Sequence, residues 1–129
     1  MSILGKNENR KVVIIHIGTN NLKSDSLMAI KEKYMDLVAS FNNIKNVKVV
    51  LSAILPRKQG QDSFGYNLNK KIRVFNNWLK FLADQLKMGF VSGYEHFEKR
   101  GDLYRADGLH LNEDGVKVFA RILKRAAES

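Results

Sequence analysis

The chain has 129 residues, 44% of them hydrophobic, which is enough for one domain with one core. It contains no cysteine, so disulfide frameworks, thiolate chemistry and Cys-based zinc sites are excluded, and an intracellular, cytoplasmic setting is expected. The net charge is +9, from 22 Lys and Arg against 13 Asp and Glu. That surplus attracts polyanions, but the basic residues are scattered, so weak, non-specific nucleic-acid binding is the most it implies.

No apolar run approaches the roughly 20 residues of a membrane span. Residues 1–10 are polar and read as an N-terminal extension rather than a signal peptide; residues 11–129 read as the domain. Residues 11–17 (KVVIIHI) form a β-branched run without alternation, the pattern of a strand buried on both faces. Gly18-Thr19-Asn20-Asn21 ends it in a tight turn. Ser24, Asp25 and Ser26 offer N-caps for a helix near 25–42, with Leu27, Ile30, Tyr34, Leu37 and Phe41 on its apolar stripe.

Residues 47–55 (VKVVLSAIL) read as a second buried strand, closed by Pro56. A polar loop over 57–65 leads to the longest helical stripe, Leu68, Ile72, Phe75, Leu79, Leu82 and Leu86, which predicts a helix near 66–87. Residues 89–93 (GFVSG) predict a short third strand, and 94–106 a loop. The last helix, near 113–127, opens with Asn112 as N-cap and Glu113 and Asp114 at its positive end, then carries Val116, Phe119, Ala120 and Leu123. Strands alternating with helices imply a parallel sheet, and ligands of such sheets bind at the carboxyl ends of strands. Gly18–Asn21 follows the first strand, and Asp107-Gly108-Leu109-His110 follows the third, so two polar loops point at one rim.

A carboxylate three residues before an imidazole can hold one ring nitrogen and leave the other free to accept a proton. Read without that chemistry, Asp107 caps a turn, His110 packs under the last helix and Asn20 is a turn residue. His16, inside a strand, reads as a satisfied core histidine; His96 has no partner in sequence, and Ser52 and Ser92 read as strand or turn residues. No His, Asp and Glu cluster has metal-ligand spacing, and no cofactor is implied.

Gly18-Thr19-Asn20-Asn21 after a buried strand, with Asp107-x-x-His110 before the final helix, resembles the SGNH (GDSL-like) hydrolase family. The nearest likeness is to short esterase-like members associated with retroelement-derived open reading frames. Leu51-Ser52-Ala53-Ile54-Leu55-Pro56, Phe75-Asn76-Asn77-Trp78-Leu79 and the stretch from Asp102 to Leu111 add to the likeness, which runs from about Val12 to Leu123. It implies an α/β fold: a parallel three-layer sandwich, flavodoxin-like with strand order 2-1-3-4-5, here truncated to its last three strands. It implies ester hydrolysis, in some branches of thioesters, amides or acetylated sugars, on a small ester substrate. By the same resemblance His110 is the catalytic base and Asp107 the carboxylate that orients it. Asn20, with Gly18 in the same turn, corresponds to the oxyanion-hole and substrate-binding position, where one lost donor costs about 3 kcal/mol of barrier.

The sequence departs from the family at its nucleophile. No Gly-Asp-Ser occurs, nor the second block whose glycine N–H completes the oxyanion hole, and Asn21 replaces the usual Asp. Ser2, in Met1-Ser2-Ile3-Leu4, is a weak candidate for the missing serine. Three readings follow: a weakly active esterase, an inactive binding or assembly module, and a basic nucleic-acid-associated domain. With the family's first two strands absent, residues 11–17 become an apolar edge, which predicts a homodimer through that strand.

Overall fold

The computed structural model describes residues 11–17, 25–41, 43–58 and 63–129, of which 63–67 as backbone helix. The β-branched runs of the sequence become strands β1 (Lys11–His16) and β2 (Val47–Ser52). They pair in parallel from Lys11↔Val47 to His16↔Ser52. A short β3 (Gly89–Val91) pairs in parallel with β2 from Val50↔Gly89 to Ser52↔Val91, giving the order β1-β2-β3. The order agrees with the last three strands of the expected sheet.

β2 lies in the middle, and Val49, Val50, Leu51 and Ser52 are all buried. Its lack of alternation has the anticipated cause, cover on both faces. β1 departs from that expectation. Only Ile15 is buried, and Val12 is 37% exposed, because among the described residues β1 has a strand neighbour on one side alone.

Helix α1 (Leu27–Ala39) starts later than expected, where the Ser26 hydroxyl accepts from the Ala29 N–H at 3.1 Å. It buries Ile30, Tyr34 and Val38, one residue every turn. Leu37, expected on that stripe, points outward at 43% exposure; a strict four-residue step puts Val38 inside instead. Helix α2 (Ser63–Leu86) buries Leu68, Ile72, Phe75, Leu79 and Leu82 as expected. Both helices pack with Ile15, Val49 and Leu51 in one core. There the Tyr34 ring meets Phe75 at 5.9 Å and Trp78 at 6.3 Å, both edge-on.

The predicted loop over 94–106 contains a one-turn helix, α3 (Tyr94–Phe97), and a 3₁₀ turn at Gly101–Leu103. Ser92 organises α3: its hydroxyl accepts from the Tyr94 N–H and donates to the Glu95 carboxylate at 3.0 Å. Helix α4 (Glu113–Glu128) covers the other side of the sheet. A second cluster gathers there, with Phe97, Leu103 and Tyr104 at its centre and Leu55, Leu111, Val118, Phe119 and Ile122 around it. Helices on both faces of a parallel sheet make this a three-layer α/β fold.

Candidate active site

The Asp107–His110 loop is a closed excursion from the protein body. Tyr104 and Leu111 form an antiparallel bridge at its neck, and the Arg105 N–H donates to the His110 carbonyl at 2.8 Å. The turn within it closes when the Gly108 N–H donates to the Arg105 carbonyl at 2.9 Å. Gly108 stands at φ +70°, a left-handed conformation that favours glycine.

Asp107 holds both the turn and the imidazole. Its Oδ1 accepts from the N–H groups of Leu109 and His110 at 2.9 and 3.0 Å. Its Oδ2 lies 2.6 Å from His110 Nδ1. The His110 ring and the two N–H groups together hold the Asp107 carboxyl well below the usual carboxylate range. Turn-capping and imidazole-orienting are therefore two uses of one carboxylate. His110 does not pack under the helix: its side chain is 65% exposed.

Two ties fix this loop to the segment after β2. The Lys58 N–H donates to the Gly108 carbonyl at 2.9 Å, and the Tyr104 hydroxyl donates to the Pro56 carbonyl. Burial, with a smaller contribution from Tyr94, pushes the Tyr104 phenol up, so it stays a donor. That segment was expected to continue β2 to residue 55. It leaves the sheet instead, because two side chains of α2 take its backbone groups. Asn76 receives the Ile54 N–H at 2.8 Å and donates to the Ile54 carbonyl at 2.9 Å. Asn69, two helical turns earlier, does the same for Arg57 at 2.8 and 3.0 Å. Both amides are buried. In the sequence they show as a polar residue every seven on the flank of an apolar stripe, and Asn76 also falls in the Phe75–Leu79 stretch that adds to the family likeness.

The start of α4 closes the loop from the other side. Asn112 accepts from the Gly115 N–H at 2.9 Å and donates to the Asp102 and Tyr104 carbonyls at 2.6 and 3.3 Å. A Cβ on Gly115 would stand 2.2 Å from the Leu103 carbonyl oxygen, so only glycine lets the helix seat this closely.

Of the other sequence candidates, Gly18, Asn20, Asn21 and Ser2 lie outside the described residues. His16 finds a partner but not a core. Its Nδ1 is 3.0 Å from the Ser52 hydroxyl and its ring lies 5.1 Å from Phe119, on the open edge strand. Partial burial lowers its pKa. Ser52 beneath it is 1% exposed, a strand residue as expected. Among the described residues no three His, Asp or Glu groups converge to hold a metal ion, and no helix is long and apolar enough to cross a membrane.

The sequence model of the GDSL-like Lipase/Acylhydrolase family matches residues 4–118, from before β1 into α4 and across the whole Asp107–His110 loop. The chain belongs to the GDSL-like lipase/acylhydrolase family. No curated protein matches the sequence. Among solved structures, this GDSL-like domain is similar to the esterase domain of the ORF1 protein from the zebrafish ZfL2-1 retrotransposon. The two are 21% identical with a TM-score of 0.71, over 88% of this chain and 70% of the other. At that identity the likeness is one of fold.

Proposed function

We propose that this domain carries the proton-handling half of a carboxylic-ester hydrolase site, with His110 as base and Asp107 as the carboxylate that orients it. The observation that supports this is the 2.6 Å contact between Asp107 Oδ2 and His110 Nδ1. With Nδ1 engaged, Nε2 is the ring atom left to take a proton from a nucleophile or water. Asn20, with Gly18 beside it, supplies the oxyanion donor in this reading. The esterase domain of the zebrafish ORF1 protein, which shares the fold, supports ester hydrolysis as the chemistry.

No Gly-Asp-Ser sequence is present and Ser2 is the weak candidate nucleophile, so the chain alone is expected to be weakly active or inactive. The test is labelling by a fluorophosphonate probe together with hydrolysis of short 4-nitrophenyl esters. Turnover should be slow, and His110→Ala should reduce whatever is present by about a hundredfold or more. Turnover indifferent to His110→Ala would sink the reading. Strong labelling abolished by Ser2→Ala would show a working nucleophile at the N-terminus and refute the expected weakness.

A second reading, an assembly module, is supported by the open edge of β1, which among the described residues pairs with β2 alone. The two readings are compatible, since strand pairing at the edge would use backbone groups of residues 11–16 and the dyad uses the side chains of Asp107 and His110.

A further inference from the structure

Helix α4 leaves a groove between itself and β3, with a volume of about 490 Å³. That size falls within the roughly 300–1,000 Å³ of small-molecule sites. Its floor is apolar: Phe90 and Val91 of β3 opposite Val118, Ile122 and Ala126 of α4, with His96 and Ser129 also lining the groove. Its rim is cationic. Arg121 and Arg125, one turn apart, both line it, and no Asp or Glu side chain does. Arg121 reaches only the Lys117 carbonyl, at 3.4 Å, and among the described residues neither guanidinium pairs with a carboxylate. The neighbouring pocket of about 370 Å³ beside β3 differs: Arg73 and Lys80 share it with Glu95 and Glu98, so its charge is balanced from within.

We propose that the β3–α4 groove binds a free long-chain acyl anion, with the alkyl tail along the apolar floor and the carboxylate between Arg121 and Arg125. Each half of the groove selects one half of that ligand. Two guanidiniums a turn apart offer planar N–H forks to a carboxylate. The side chains of Phe90, Val91, Val118, Ile122 and Ala126 on the floor carry no hydrogen-bonding group, so that surface selects methylenes. The groove lies along the middle and end of α4, whereas the Asp107–His110 dyad precedes the helix. Binding therefore does not depend on catalysis.

The test titrates the intact, isotope-labelled chain with dodecanoate below its micelle concentration, followed by amide NMR shifts and calorimetry. Shifts are expected at residues 90–91 and 118–126. Affinity should rise up to about fourfold per added methylene from octanoate to dodecanoate. The surface double variant Arg121→Ala/Arg125→Ala, its fold checked by circular dichroism, should lose about tenfold or more. Arg121→Lys/Arg125→Lys should fall between the two. No shift at these amides at millimolar dodecanoate, or shifts confined to residues 105–111, would overturn the proposal. So would dodecanol binding as tightly as dodecanoate, or an oligouridylate displacing dodecanoate from the same amides.

Discussion

Asp107 has both carboxylate oxygens engaged within three residues of itself, and that makes its charge matter to folding as well as to His110. Its carboxyl is held below the ordinary value, so in the unfolded chain it takes up a proton first, near pH 4. Its stabilisation is thus fully present above about pH 4 and is lost as pH falls below it. Urea unfolding of wild type and Asp107→Asn should differ at pH 7 and converge in strong acid. His16, lowered by burial, acts in the same direction at higher pH: stability should begin to fall below about 6.5, and His16→Gln should remove that step. Gly115 is limited by space. Gly115→Ala would drive a methyl into the Leu103 carbonyl and should cost about 2–3 kcal/mol, measurable as a lowered urea midpoint.

At the scale of elements, α2 does two jobs with one face. Its apolar stripe builds the core, and Asn69 and Asn76 hold the exit of β2. Asn76→Ala would leave a buried N–H and a buried carbonyl of Ile54 without partners, at a cost of about 2–4 kcal/mol. Amide exchange at Ile54 should quicken, and Lys58 and Gly108, next along the same set of hydrogen bonds, should shift in NMR spectra. The apolar periodicities made all three strands and the three long helices readable in the sequence, because burial leaves a repeat that residue type reveals. The C-terminal end of β2, the inward turn of Val38 and the four-residue α3 were not readable: each is decided by a single side-chain partner or by one residue of phase. The dyad was readable because both members sit in one short stretch. Its supports were not, since Tyr104, Pro56 and Lys58 meet it only through the fold.

For the whole molecule, the sheet is the element with open sides. β1 places Val12 and Ile14 along an edge whose second side is unpaired among the described residues, with Lys11 and His16 as the polar groups on it. Such edges recruit another strand, and antiparallel pairing of two copies would give a six-stranded sheet about a two-fold axis. A dimer at micromolar concentration is expected by light scattering. Val12→Lys, at an exposed position, and Ile14→Pro should both shift it towards monomer. A wild-type monomer at that concentration would defeat the idea.

Helix α4 spans the sheet from rim to rim. It begins beside the dyad and ends at Ser129, whose carbonyl accepts from Lys48 near the start of β2, at the opposite end of the strands. Sixteen helical residues put about 24 Å between those ends. The domain is therefore polar in the sense of a plug with a handle. A bead, electrode or fusion partner attached through Ser129 would stand behind the sheet, with the His110 loop facing outward into solution. Attachment through side chains of the 105–111 loop would instead turn the site towards the support.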